Sequence, residues 1–170
     1  MPLRPNLEES VQSPLIILGS ARSDGNTARV ANKLRQDIRA EQIDLLDHTI
    51  HPFRYGGNYP TDDQYIEIIE RHVLPHPHII LASPVYWYAM SGIMKNFVDR
   101  FTDLLTIHKA LGRQLRGKTL GALSCIGDAN VEPSFFTAFR LIAKYLGMHY
   151  GPEYHGWVHA NDHQVAIRKL

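Results

Sequence analysis

Short apolar runs alternate along this chain with longer stretches in which apolar residues return every three or four positions. Leu15-Ile16-Ile17-Leu18 is an unbroken apolar run stopped by Gly19, the pattern of a strand buried on both faces. After it, Ala31, Leu34 and Ile38 share one face of a helix. Ile43 to Leu46 is a weaker strand candidate. Ile66, Ile69 and Val73 mark a second helix that ends before Pro75, because the residue preceding a proline avoids the helical region. His78 to Ala82 reads as the next strand, stopped at Pro84. Met90, Met94, Phe97, Phe101 and Leu104 form the clearest helical face in the chain. Thr119 to Cys125 is a fourth strand. Pro133 opens a helix at the first-turn position that proline tolerates, with Phe135, Phe139, Ile142 and Leu146 on its buried side. His149 to His155 is a weaker final strand.

Strands separated by helices predict right-handed crossovers, hence an α/β fold with a parallel sheet and helices on both faces. In such sheets ligands sit beyond the carboxyl ends of the strands, where the strand order reverses. The segments just after Leu18, Ala82 and Leu123 are therefore the places to look for chemistry.

The first of these, Gly19-Ser20-Ala21-Arg22-Ser23-Asp24-Gly25-Asn26-Thr27, leads directly into a helix. Free backbone N–H groups and the positive end of the helix dipole suit an anion there. Ser20, Asn26 and Thr27 add neutral donors, and Arg22 can fork two bonds to phosphate oxygens. No Gly-Lys-Ser/Thr follows, and only Gly19 and Gly25 are present, so neither a Walker loop nor the three-glycine dinucleotide fingerprint fits. A cradle for a single phosphate fits, and a plain helix cap is the alternative. The second loop, Ser83 to Gly92, carries Tyr86-Trp87-Tyr88 after Pro84. Three adjacent aromatics have no period and suit a planar heterocycle, or a structural aromatic cluster or subunit contact. The third loop, Cys125 to Glu132, is weak alone but is placed to form a third wall.

Composition narrows the choice. The 170 residues suit one domain, expected over 14–170 after a flexible leader over 1–13. Eighteen Lys+Arg against 17 Asp+Glu leave a net charge of +1, which argues against nucleic acid and anionic membrane as partners. One cysteine forms neither an internal disulfide nor a multi-cysteine metal site. No apolar run approaches the ~20 residues that span a bilayer. The acidic N-terminus lacks the apolar core of a secretory signal, so a cytoplasmic address is expected.

Gly19-Ser20-x-Arg22 with Asn26-Thr27, then Ser83-Pro84-Val85-Tyr86-Trp87 running into Ser91-Gly92-x-Met94-Lys95-Asn96-Phe97-x-Asp99-Arg100, resembles the flavodoxin-like NAD(P)H-dependent FMN reductases. The resemblance spans about Pro14 to Trp157. It implies a flavodoxin-like three-layer sandwich with a five-stranded parallel sheet of order 2-1-3-4-5. It also implies bound FMN, NAD(P)H as electron donor, a small-molecule electron acceptor, and assembly as a homodimer or homotetramer. By the same resemblance Ser20, Arg22, Asn26 and Thr27 hold the FMN phosphate. Pro84, Val85, Tyr86 and Trp87 line the flavin ring, and Ile126, Gly127 and Asp128 close its other side. Iron–sulfur relatives carry a cysteine cluster that this chain lacks, and the third loop lacks the glycine-rich run of many relatives.

The hard chemistry of such a protein belongs to the flavin, so no catalytic side chain is assigned. The acceptor class spans flavins, quinones, azo and nitro compounds and metal ions. Two other readings compete with this one: a flavodoxin-type electron carrier without NAD(P)H turnover, and a flavin-free scaffold. Carriers are typically strongly acidic, which a net charge of +1 opposes. The long connection from His48 to Asp63 is either an overhang above the pocket or a mobile surface loop. His155, His159 and His163 recur every four residues, but Gly156 breaks any helix there, so surface or interface histidines are expected rather than metal ligands. Cys125, ending a buried strand, is expected to be a small core residue.

Overall fold

The computed structural model describes residues 13–170. The expected leader lies outside the described residues apart from Ser13, whose carbonyl accepts a 2.9 Å hydrogen bond from the buried His76 ring. Six strands form one sheet: β1 (Leu15–Leu18), β2 (Glu41–Asp44), β3 (His78–Pro84), β4 (Thr119–Cys125), β5 (His149–Val158) and β6 (Val165–Lys169). Their order is β2-β1-β3-β4-β5-β6. The first five run parallel in the expected 2-1-3-4-5 order, while β6 is antiparallel to β5. The sixth strand corrects the expected count of five. It pairs along the free edge of β5, satisfying backbone groups that a lone edge strand leaves open.

Six helices connect the strands: α1 (Asn26–Asp37), α2 (Tyr65–Ile68, continued by a π-helical turn Ile69–Val73), α3 (Gly92–Asp99), α4 (Phe101–Thr106), α5 (Lys109–Arg113) and α6 (Thr137–Leu146). Side chains alternate across the strands, so β1 feeds two cores. Leu15 and Ile17 join Ile79, Leu81, Met94, Phe97, Phe136 and Phe139 beneath α2, α3, α4 and α6. Ile16 and Leu18 join Val30, Leu34, Ile80, Ala82 and Leu123 beneath α1. All four residues of β1 are buried, which is why its sequence is apolar throughout.

Several boundaries differ from the sequence reading, β3 and β5 running on to Pro84 and Val158 among them. The second strand is Glu41–Asp44 rather than 43–46, because Leu45 already begins a 3-10 turn and turns inward. The long helical face from Met90 is two helices broken at Arg100; the same apolar face continues through Phe101 and Leu104, so the period hides the break. Pro133 opens a 3-10 turn, Pro133–Phe136, before α6 begins. Among the described residues no helix is long and apolar enough to cross a membrane.

Candidate functional site

Three loops meet at the carboxyl edge of the sheet. Ser20, Arg22, Gly25, Asn26 and Thr27 from the first, Pro84, Val85 and Tyr86 from the second, and Cys125 and Ile126 from the third line one cavity of about 210 Å³. Eight of the eleven expected site residues are therefore brought together here, and Trp87, Gly127 and Asp128 lie outside its walls.

The first loop leaves β1 through Gly19, whose N–H donates to the Ala82 carbonyl at 2.9 Å. A Cβ on Gly19 would stand 2.9 Å from Met94 Cβ, so only glycine lets β1 pass this close to α3. Helix α1 is capped by Gly25 with no side-chain hydrogen bond, and no acidic residue sits in its first turn. Its first N–H groups thus remain available to an anion, backed by the positive end of the dipole. Arg22 lies over Gly25, and its guanidinium makes no hydrogen bond or ion pair among the described residues. Among the described residues it is the one cation on the cavity wall.

Two buried serines, which the sequence reading did not single out, join the loops. Ser91 Oγ donates to the Gly19 carbonyl at 2.6 Å and accepts from the Met94 N–H at 3.0 Å, capping α3. Ser83 Oγ accepts from the Ser91 N–H at 2.8 Å. A serine just before a helical run is an N-cap signal, so this one was available from the sequence. Between them the chain makes a tight reversal. Tyr86 and Ala89 exchange backbone hydrogen bonds of 2.9 and 3.1 Å, with Trp87 and Tyr88 at φ of 49° and 65°. A two-residue turn with both central residues left-handed normally takes Asn-Gly; aromatic residues there hold strained backbone and present their rings outward. Trp87 is 94% exposed.

In the third loop Asp128 does not aim its carboxylate at the cavity. Its Oδ1 accepts from the Asn130 N–H at 2.8 Å, closing a local turn. The Cys125 carbonyl accepts from Val85 N–H at 2.9 Å, tying the third loop to the second. Burial pushes the Cys125 thiol above its ordinary range, against a lowering hydrogen bond with Thr27. It is an inert wall residue, as its position predicts. None of the cavity's walls comes from 48–63, so this connection does not overhang it. It folds down instead onto α3 and α4, held by Asn96 Nδ2 on the Ile50 carbonyl at 2.9 Å and by Arg100 on Asp63 and the His51 carbonyl.

His155 differs from expectation, being fully buried, and His76 is buried too. Among the described residues no group of three or more His, Cys, Asp or Glu converges as a metal site would.

Comparisons with known proteins place the chain in a family. Residues 14–162 match the family model described as NADPH-dependent FMN reductase. The chain is 41% identical over 95 residues to the protein named NAD(P)H-dependent FMN-containing oxidoreductase YwqN of Bacillus subtilis, covering 53% of this chain and 52% of that one. It is 31% identical over 93 residues to the FMN-dependent NADPH-azoreductase of Staphylococcus aureus, covering 50% of each. The chain thus spans about half the length of the curated relatives it matches. Among solved structures, the Trp repressor binding protein of Bacillus subtilis superposes with a TM-score of 0.65 at 31% identity, over 85% of this chain and 86% of that one. On the strength of a match that runs from β1 to the end of β5, this chain belongs to the NADPH-dependent FMN reductase family.

Proposed function

We propose that the protein is an FMN-dependent oxidoreductase that draws hydride from NAD(P)H and delivers electrons to a small acceptor. The observation that carries this reading is the α1 N-terminus, free of any side-chain cap, facing an Arg22 unpaired among the described residues in a cavity that Tyr86 helps to wall. The residues present fit FMN. Drug-sized ligands fill roughly 300–1,000 Å³, so a cavity of about 210 Å³ admits a phosphate and its attached chain but not a whole flavin. The ring would then rest outside it, against the exposed Tyr86-Trp87 turn.

In this reading Arg22 neutralises the phosphate, and Ser20, Asn26, Thr27 and the first-turn amides of α1 fix its oxygens. Pro84 and Val85 hold the turn in register with β4, and Ile126 closes the opposite side. Bound FMN supplies the redox chemistry, so the protein needs only to position it and leave one face open. The walls fit that division of labour, since among the described residues they contain no carboxylate or imidazole that would act as a general acid or base. The acceptor belongs to the class of flavins, quinones, azo or nitro compounds and metal ions, and the azoreductase name of one relative supports the azo group among them. An enzyme using NAD(P)H belongs with the reduced nicotinamide pool of the cytoplasm. Mixing FMN-loaded protein anaerobically with NADH or NADPH is expected to bleach the flavin's visible absorbance rapidly. Absorbance that persists with both donors would defeat the reductase reading in favour of an electron carrier.

Assembly as a homodimer or homotetramer is part of the same proposal. Leu105, Leu141 and Tyr145 leave an exposed apolar face between α4 and α6, around a cleft of about 340 Å³. Contiguous apolar surface of this kind marks interaction sites. Light scattering should give a mass of two or four chains, reduced to one chain in Leu141→Glu; a single-chain mass for the unaltered protein would remove the oligomer from the proposal.

A further inference from the structure

We propose that the β5–β6 hairpin is a clamp for the third loop, with His155 and Arg168 as positioning residues for the cavity. Its consequence for flavin rests on the FMN reading above. The third loop has no regular structure between Cys125 and Pro133, and the space beside Gly127 is open. Two successive carbonyls fix it from outside. His155 Nε2 bonds the Asp128 carbonyl at 2.8 Å, and an Arg168 guanidinium nitrogen donates to the Ala129 carbonyl at 3.0 Å. The first bond comes from β5 and the second from β6. Strand β6 begins at Val165, beyond the residues that match the family model, so half of the clamp lies outside that match.

The chemistry of His155 is tightly specified. It is fully buried, its ring stacked on Trp157 at 5.6 Å, and its Nδ1 lies 2.8 Å from Ser124 Oγ. A carbonyl only accepts, so Nε2 must carry the hydrogen; Nδ1 of the neutral ring then accepts from the serine hydroxyl at 2.8 Å, in preference to the Tyr154 carbonyl 3.3 Å from the same oxygen. Burial and the nearby Arg168 both favour that neutral form, against the opposing pull of Asp128 and Ser124.

The hairpin is in turn fixed to the helix that opens the cavity. Arg29 of α1 donates to the His163 carbonyl in the β5–β6 turn. Gly156 lies so close to Val30 that a Cβ there would stand 2.2 Å from Val30 Cγ1. The hairpin therefore sets the distance between α1, which forms the anion cradle, and Ile126, which forms the far wall.

Three variants test this: Arg168→Met, His155→Leu and His155→Gln, whose side-chain amide keeps a donor near the Nε2 position. Hydrogen exchange of the amides over 126–132 is read on flavin-free protein, and FMN Kd is read by fluorescence quenching. One lost hydrogen bond predicts exchange about three- to tenfold faster in Arg168→Met, with FMN Kd raised by a similar factor. His155→Leu should exceed this, and His155→Gln should recover most of it. Unchanged loop exchange in Arg168→Met, an exposed residue whose loss leaves the core intact, overturns the clamp. A lowered Tm with unchanged exchange and Kd in all three variants also overturns it, leaving these residues merely structural. If the unaltered protein takes up no FMN, the cofactor reading falls, and exchange alone still decides the clamp.

Discussion

Replacing Arg100 by Met is expected to destabilise the protein by about 3–5 kcal/mol at neutral pH, the usual effect of removing one partner from a buried ion cluster. Arg100 is 1% exposed. Its guanidinium bonds Asp63 at 2.7 and 3.0 Å, Asp103 at 2.7 Å and the His51 carbonyl at 2.8 Å. It also lies 3.5 Å above the centre of the Tyr59 ring and 4.5 Å from that of Tyr65. Met fills much of the volume but leaves two carboxylates without their cation. The connection from His48 to Asp63 loses its main anchor at the same time, since Tyr59 reaches the same cluster through Asp103.

The pH dependence of this effect follows from Asp63. Burial would raise its pKa, but hydrogen bonds and charge from Arg100, with the His51 N–H, hold it below its ordinary value. In the unaltered protein this carboxylate therefore stabilises the fold above the ordinary aspartate pKa near about 4, and the contribution is lost as pH falls through the lowered value. Without Arg100 the burial remains and the compensation goes, so the folded variant takes up a proton more readily than its unfolded chain. Its deficit should be largest at neutral pH and shrink as pH falls toward about 4. Urea unfolding at several pH values measures this. A neutral-pH loss below about 1 kcal/mol would show that the cluster is no more than a surface-type pairing.

Arg22→Ala is expected to weaken FMN binding by roughly tenfold to a hundredfold, the range for a lost hydrogen bond to a charged group. The guanidinium has no partner within the described residues, so its removal should leave Tm nearly unchanged. That separation of binding from stability is the signature of a ligand contact. Arg22→Lys should recover part of the affinity, because it keeps the charge but loses the planar fork. The loss should also narrow at high salt, since the site is open to solvent. Unchanged FMN affinity in Arg22→Ala, measured by fluorescence quenching, would take Arg22 out of the cradle.

Arg100 and Arg22 also show how far the chain could be read without coordinates. Arg22 was legible because its chemistry is local. It sits between a strand and a helix start, and a small polar loop at that junction leaves amides free wherever it occurs. Arg100 was legible only as one letter of a motif. Its partner Asp63 lies 37 residues away, and nothing in the polar spacing of either segment couples them. The break in the helix at Arg100 was hidden for a related reason: apolar periodicity reports which side is buried, and the buried side continues unchanged from Phe97 to Phe101.

The aromatic turn lay between these cases. Tyr86-Trp87-Tyr88 had no period and so stood out from the core. That it reverses the chain through two left-handed residues is contrary to local preference, and Ser83 and Ser91 beneath it hold the flanking backbone. His155 differs from expectation because, with Gly156 ruling out a helix of metal ligands, nothing local distinguishes it from a surface or interface histidine. Its actual environment comes from Ser124 and Trp157, one across the sheet and one along the same strand.

By itself, then, the sequence determined the five parallel strands, the helices between them and the small polar loop that joins β1 to α1. Each rests on the period of burial or on the chemistry of a helix end, which act within a few residues. Tertiary structure alone decided the sixth strand, the ion cluster under the 48–63 connection and the clamp on the third loop. Val165–Lys169 becomes a strand because β5 offers it an unpaired edge. Asp128 and Ala129 are held by side chains 27 and 39 residues further on. Contacts of that separation are specified by the packing of the whole sheet, and local patterning carries no record of them.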